Sequence, residues 1–380
     1  MIMSEIPNIS RQLRSLVKSS GELELSIHDS KVMPPGINEV LIKVEASPIN
    51  PSDLGLLLGY SDITKAKYFG TESNPRVIAP INPKLMPALA ARVDKSMPVG
   101  NEGAGLVIAA GESDEAQALI GKTVAGLGAP MYSQYRTLKV HQCLEMHPGV
   151  SSKQAAACFV NPLTAMGMVE TMRLEGFSAL AHTAAASNLG QMLQKICLID
   201  NVPLVNIVRK PEQEQILRAI GATHVCDSSK DTFPMDLQNA IAQTQAFVAF
   251  DATGGGRLAN DILSAMERAA NAVSKGFNHY GSTQHKQVYI YGGLERSDTI
   301  LKRNYGMQWG LGGWLLTPFL QKVGRERTAE LRQRVANEVT TTFQSNFSQE
   351  VSMAGALAAE ALNAYSKQST GQKYLINPSL

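Results

Sequence analysis

The stretch Ala179-Leu180-Ala181-His182-Thr183-Ala184-Ala185-Ala186-Ser187-Asn188-Leu189-Gly190 decides the fold. Ala179–Ala184 reads as a short buried strand. Asn188–Asp200 reads as a helix, because Leu189, Met192, Leu193, Ile196 and Ile199 fall on one face. Between them lies a run of small side chains. A dinucleotide site needs such a turn: the backbone must approach a pyrophosphate closely, and a helix N-terminus must face the anion. Of a GxxGxx[GA]-like spacing only Gly190 remains, with Ala184 and Ser187 in the other two places. The turn residues offered to a ligand are Ala185, Ser187, Asn188, Leu189 and Gly190.

Downstream, Leu204–Val208, Thr223–Cys226, Phe247–Asp251 and Val288–Tyr291 are further apolar runs. Pro211–Ile220 is a helix that Pro211 opens and Gly221 closes. Strands spaced by helices predict βαβ units and an α/β, doubly wound parallel sheet. The second strand ends Asn206-Ile207-Val208-Arg209-Lys210. A site for NAD usually has Asp or Glu there for the ribose hydroxyls. Two cations instead suit a 2′-phosphate and hence NADP(H); the other reading is that they cap a strand in solvent. Gly254 to Gly256 after Phe247–Asp251, with Thr253 and Gly254 nearest the strand, either let a cofactor pass or form an ordinary turn. Gly292 and Gly293 leave room for one over the sheet's edge.

Upstream of residue 160 the pattern changes to short strands punctuated by Gly and Pro: Val40–Ala46, Gly105–Ala110, Thr123–Gly126 and Tyr135–Val140. Ser61–Met97, with Pro75, Pro80, Pro83 and Pro87, reads as a long irregular stretch, either a lid or binding loop or a surface insertion without a role. The tail predicts an amphipathic helix at Arg325–Phe343 and an alanine-rich one at Met353–Tyr365. The change near residue 160 predicts a β-rich domain before it and a nucleotide-binding domain of alternating strands and helices after it.

Composition agrees. The 380 residues are enough for two domains at ~100–200 residues each. Lys+Arg 35 against Asp+Glu 33 leaves a net charge of +2, no surplus for nucleic acid or an anionic membrane. No secretory h-region opens the chain, and Trp309–Leu320 is too short for a span. Cys143, Cys158, Cys197 and Cys226 form no CxxC or CxxH pair, so no metal site is expected, and reduced thiols in the cytoplasm are the simplest reading.

Several segments together resemble the medium-chain dehydrogenase/reductase superfamily, in its zinc-less quinone oxidoreductase and enoyl reductase branch. They are Val44 to Asp53 (VEASPINPSD), Pro98 to Gly105 (PVGNEGAG), Val160 to Ala165 (VNPLTA), Leu217 to Val225 (LRAIGATHV) and Phe250 to Gly255 (FDATGG). Zinc-dependent members carry Cys near Asn50 and His at Asn101; neither ligand survives, so Lewis-acid alcohol dehydrogenation is excluded.

The resemblance implies a GroES-like domain over 1–160, completed by 325–380, beside a Rossmann NADP-binding domain over 161–324, with the active site in the cleft between them, and a homodimer. It implies hydride transfer from NADPH to a small electrophilic acceptor, a quinone or an α,β-unsaturated carbonyl. Asn50 then lies beside the nicotinamide as an amide donor, or else merely makes an Asx turn before Pro51. Asn161 and Thr164 lie where the branch's linking helix touches the cofactor, and Lys373 reaches it from the tail. Tyr60 and Tyr132 are candidate proton donors, or simply half-buried loop tyrosines. An enoyl-thioester reductase would want a basic channel, for which Lys65, Lys67 and Arg76 are available, and a non-catalytic NADPH binder is a third reading.

Overall fold

The computed structural model describes residues 6–274, 276 and 278–380. It divides into two units, Met1–Val160 with Arg332–Leu380, and Asn161–Leu331.

In the first unit Leu23, Leu25 and Ile27 alternate with polar residues along β2 (Glu22–Lys31), which pairs antiparallel with β1 (Ile9–Lys18) across the turn at Gly21. That two-residue period buries one face against Leu13 and Val17. In the other sheet β3 (Glu39–Pro48) is central; Val40, Leu41, Ile42 and Val44 are all buried. The helix α1 (Pro51–Leu57) follows it directly.

The segment expected to be structureless is mostly sheet and short helix. β4 (Lys67–Gly70), β5 (Pro75–Pro80) and β6 (Ser96–Pro98) complete a five-stranded sheet in the order β4-β5-β2-β1-β6, and Pro83–Arg92 is 3₁₀ helix. Pro75 and Pro80 stand at the two ends of β5, where proline is tolerated in a strand. The expectation of an irregular stretch is therefore corrected: Pro75 and Pro80 bound β5, Pro83 opens the 3₁₀ helix, and Pro87 is accommodated inside it.

The second sheet runs β10 (Cys143–Glu145), β8 (Thr123–Leu127), β7 (Glu102–Ala110), β3, then the tail strands Tyr374–Ile376 and Gln349–Val351, with β9 (Tyr135–Lys139) also on β3. A Cβ on Gly105 would lie 1.9 Å from the Lys43 carbonyl oxygen, so glycine is what lets β7 press against β3. Ala46 pairs with Ala104, and Leu375 with Pro48. This register brings the end of β3, the start of β7 and the start of the last strand to one place. The tail helices differ from expectation. The first spans Leu316–Glu338 with a non-helical Gly324, and the alanine-rich one breaks at extended Ala358 into Gly355–Leu357 and Ala359–Tyr365.

The second unit opens with α2 (Val160–Leu174), eleven of whose residues are buried, more than one stripe would need. Its sheet has the order β13 (His224–Asp227), β12 (Leu204–Val208), β11 (Leu180–His182), β14 (Val248–Asp251), β16 (Lys286–Ile290), β18 (Trp309–Gly313), every pair parallel. That is the Rossmann order, with its switch point between β11 and β14. Helices α3 (Asn188–Ile199), α4 (Pro211–Ala219), α5 (Phe233–Thr244) and α6 (Leu258–Ala272) supply the crossovers. A parallel pair, β15 (Gly254–Gly256) with β17 (Glu295–Thr299), lies outside the main sheet.

All four cysteines are free thiols; Cys143 is half-buried and the others buried. Among the described residues no group of three His, Cys, Asp or Glu could hold a metal ion, and no helix is long and apolar enough to cross a membrane.

Candidate functional site

In the second unit, the turn after β11 is built from small residues under constraint. Ala184 sits at φ 50, in the left-handed region that normally selects glycine. Its carbonyl accepts the Ser187 N–H at 2.9 Å, closing the turn. Ser187 caps α3, with its Oγ accepting the Gly190 N–H at 3.2 Å. A Cβ on Gly190 would stand 2.1 Å from the Ala185 carbonyl oxygen, so no other residue fits there unless the backbone moves. The first turn of α3 thus packs directly on the loop, with Asn188 and Leu189 in it, and its positive end lies at the sheet's C-terminal edge.

The switch point is stitched by two residues the sequence reading passed over. Thr183 Oγ1 donates to Asp251 Oδ1 at 2.8 Å and accepts the Ala252 N–H at 2.8 Å. The Asp251 carboxylate also accepts the N–H groups of Thr253 (2.8 Å) and Gly254 (3.1 Å). A second pair lies on β11 and just past β16. His182 Nε2 and the Tyr291 hydroxyl are 2.7 Å apart, and the rings stack. Burial pushes His182 down to about 3, so the imidazole is neutral, and its Nδ1 is buried without a hydrogen-bond partner.

The glycines past the strands separate into two kinds. A Cβ on Gly292 would meet the Ala252 carbonyl at 2.7 Å, and one on Gly254 the Gly292 carbonyl at 2.7 Å. These two are glycines because the chain packs on itself. Gly293 has nothing within 4 Å and, like Gly256, has open space where a Cβ would stand. Arg209 and Lys210 are exposed at the end of β12. The Ser297 N–H and, further down, the Arg209 charge hold the Glu295 carboxyl below its usual range, so Arg209 has one acidic neighbour. Asn161 and Thr164 lie in the first turns of α2, each 7% exposed.

The first unit holds a buried polar cluster where its register converges. Glu102, fully buried at the start of β7, accepts the N–H groups of Phe159 (2.8 Å) and Val160 (3.0 Å) on Oε2 and the Asn50 amide (2.7 Å) on Oε1. Burial pushes the Glu102 carboxyl up, and the Lys373 ammonium pulls it back. Asp53 accepts the Asn50 N–H (2.8 Å) and the Asn101 N–H (2.8 Å), so it fixes the start of α1. Burial pushes Asp53 up to about 7 against those bonds. Burial likewise pushes Lys373 down to about 8, opposed by Glu102 and Asp53. Two buried atoms of the cluster have no hydrogen-bond partner, Asn50 Oδ1 and Lys373 Nζ. Sequence reasoning named Asn50 and Lys373 but missed Glu102, their common neighbour.

The two tyrosines part company. Tyr60 is 41% exposed after α1, whereas Tyr132 is fully buried and donates to the Pro48 carbonyl at 3.1 Å. Lys65 is paired with Asp62 at 3.0 Å, and Arg76 lies over the Phe69 ring at 5.4 Å, so two of the three cations named for a basic channel have partners. A cavity of about 430 Å³ in the first unit, beside Arg11, Thr71, Gln134 and Met353, is lined by none of the predicted residues.

A dinucleotide fits the second unit on three observations: the backbone approach at Gly190, the helix end behind it, and the space at Gly293. No family model matches the chain. It is similar to a mitochondrial enoyl-[acyl-carrier-protein] reductase of Caenorhabditis elegans, 23% identical over 249 residues, 64% of this chain and 63% of that protein. Among solved structures it superposes on a candidate NADPH:quinone reductase from Mesorhizobium loti with a TM-score of 0.73 and 24% identity, covering 98% of this chain and 100% of that one. The fold is that of the medium-chain dehydrogenase/reductases. Its GroES-like part is the first unit and its Rossmann part the second. Another chain of this fold, Etr1p in complex with NADP and crotonyl-CoA, aligns with a TM-score of 0.65 and 18% identity over 97% of this chain and 99% of its own. The chain thus spans less than two thirds of the length of the curated C. elegans relative.

Proposed function

We propose that this chain is an NADPH-dependent reductase whose acceptor is a quinone or an α,β-unsaturated carbonyl. The observation that carries this reading is the end of β12. Exposed Arg209 and Lys210 stand there with no carboxylate in the strand's last turn, beside a helix-capped turn that admits a pyrophosphate. A guanidinium pairs with phosphate through two hydrogen bonds, and a second cation adds charge. The Ser187-capped turn (Ala185 to Gly190) would hold the pyrophosphate, and Gly293 leaves space above the sheet. Thr253, Gly254 and Gly292 shape the strand ends, and Asn161 and Thr164 are assigned to the cofactor with them. Bound NADPH supplies the hydride. The protein's part is orientation, exclusion of water and hydrogen bonding at buried polar atoms such as Asn50 Oδ1 and Lys373 Nζ.

A second reading, reduction of an enoyl thioester, is supported by the curated relative's name and by the crotonyl-CoA complex of Etr1p. A homodimer in the cytoplasm completes the proposal. β18 is an edge strand, bonded to β16 alone in the main sheet, and exposed Met307 and Leu315 flank it. The four free thiols suit a reducing compartment.

The test is to mix the purified chain with NADPH and, in turn, quinones, enals and crotonyl-CoA, following absorbance at the nicotinamide band. Consumption with quinones or enals supports the first reading, and consumption with crotonyl-CoA alone supports the second. Enhanced nicotinamide fluorescence without consumption would leave a binder, and no binding of NADPH would sink the proposal.

A further inference from the structure

Glu102 fixes which end of Asn50 is free. Both oxygens of its buried side chain are engaged, Oε2 by the main-chain N–H groups of Phe159 and Val160 and Oε1 by the Asn50 amide. Against burial, the Lys373 charge and the two main-chain N–H groups favour the ionised form, and a carboxylate only accepts, so the group facing Oε1 is the Asn50 NH₂. The carbonyl oxygen Oδ1 is left buried with no hydrogen-bond partner. Asn50 and Asp53 stand in the reciprocal arrangement of a capping box, but the Asp53 N–H is spent on the main-chain carbonyl of Asn50 at 2.9 Å and makes no hydrogen bond to Oδ1. An unpaired buried carbonyl lowers stability, and such an atom calls for a partner.

We propose that Glu102 is a positioning residue that locks the Asn50 carboxamide with its oxygen free, so that Asn50 accepts a hydrogen bond from a ligand N–H or O–H. This reverses the donor role that the sequence suggested for Asn50. The ligand group is then one carrying a donor, a primary carboxamide or a hydroxyl. Lys373 Nζ, a buried donor without a hydrogen-bond partner whose charge acts on the same Glu102, is the complementary half for that ligand's oxygen. The choice of NADPH as probe rests on the reductase reading; the orientation of Asn50 does not.

The test exchanges the polarity of the pair. In Glu102→Gln, the Phe159 and Val160 N–H groups still demand an oxygen, so the new NH₂ faces Asn50 and turns its carboxamide over. The full chain should then bind NADPH about 10- to 100-fold more weakly by calorimetry, with thermal unfolding near the parent's. Adding Asn50→Asp restores an acceptor while merely moving the charge from one residue to the other. This double variant should recover to within about threefold of the parent, whereas Asn50→Asp alone sets two carboxylates face to face and should not. Asn-selective ¹⁵N spectra give a readout without ligand. The Asn50 NH₂ signals, identified by their loss in Asn50→Asp, should be protected from solvent exchange in the parent and shifted in Glu102→Gln.

Parent-like NADPH affinity in Glu102→Gln, or a double variant no better than Glu102→Gln, overturns the proposal. If the parent binds no NADPH, the reductase reading falls on its own and the spectra decide: unchanged Asn50 signals in Glu102→Gln overturn the positioning role. If Glu102→Gln does not fold, protection of the parent's Asn50 NH₂ supports the proposal and free exchange overturns it.

Discussion

Gly190 and the carbonyl of Ala185 are so close that a Cβ on the glycine would lie 2.1 Å from the oxygen. The contact is backbone against backbone, and no side-chain rotation relieves it. Gly190→Ala must therefore push the start of α3 off the loop. Overpacking of this kind costs ~1–3 kcal/mol. We expect urea unfolding to show that loss, and NADPH binding to weaken more than the stability change alone explains, because the displaced helix end is the anion site of the proposed function.

Ala184 is the converse case. At φ 50 an alanine costs ~1–2 kcal/mol relative to the right-handed region. Glycine removes that strain but loses ~0.5–1 kcal/mol to its freer unfolded chain. Ala184→Gly should thus be neutral to stabilising by up to ~1.5 kcal/mol in urea unfolding. Ala184→Val, whose β-branch tolerates positive φ worst, should be the less stable of the two. A stabilised valine variant would refute the left-handed turn.

Much of this arrangement was legible in the residues. Leu204–Val208 is an apolar run of strand length, Asn188 to Asp200 carries a helical period, and Pro211 and Gly221 mark the ends of a helix, so the wound sheet could be read directly. β5 could not, because prolines at both of its ends read as breaks in the chain. The β1–β2 hairpin was missed although Leu23, Leu25 and Ile27 alternate as a strand should. The polar cluster was hidden for a different reason. Asn50 and Glu102 are 52 positions apart, and His182 and Tyr291 are 109 apart. Only the pairing of β3 with β7, or of β11 with β14 and β14 with β16, brings such partners together, and no local pattern encodes it.

At the end of β12, Arg209 and Lys210 set the coenzyme preference if the proposed function holds. Changing both to Ala should weaken NADPH ~10²-fold, while NADH changes by less than about threefold, since only the former carries the 2′-phosphate. The NADPH affinity of the parent should also fall more steeply with salt than that of the variant. Equal losses for both coenzymes would return these cations to the role of a solvated strand end.

Lys373 and Asp53 give the first unit opposite pH responses. Lys373 titrates near 8 in the fold, against ~10.4 in the unfolded chain. Between those values only the unfolded chain keeps the proton, so stability rises with pH across that window, and Lys373→Met should abolish the rise. Asp53 titrates near 7 in the fold, against ~3.9 unfolded. There the folded chain keeps the proton, so stability falls as pH climbs from ~4 to 7, and Asp53→Asn should flatten that fall. If the ammonium meets the coenzyme, NADPH affinity should drop as pH passes about 8 in the parent but not in Lys373→Met. Titration of unfolding and of binding across pH 4 to 11 checks both signs.

Tyr132 shows how burial decides between two roles for one side chain. Its ring packs against Gly100, where a Cβ would come within 2.6 Å of it, and its hydroxyl is held by the Pro48 carbonyl at 3.1 Å. Burial, with Asp53 close by, pushes the phenol well above its ordinary range, which makes it a poor source of protons. A positioned general acid is worth ~10²–10⁴ in rate, whereas a lost internal hydrogen bond costs ~0.5–1.5 kcal/mol of stability. Tyr132→Phe should therefore lower the unfolding free energy by about that amount and leave turnover with any accepted substrate within about twofold. A rate loss of ~10² with stability intact would instead make Tyr132 the proton donor, and would require the first unit to open around it during turnover.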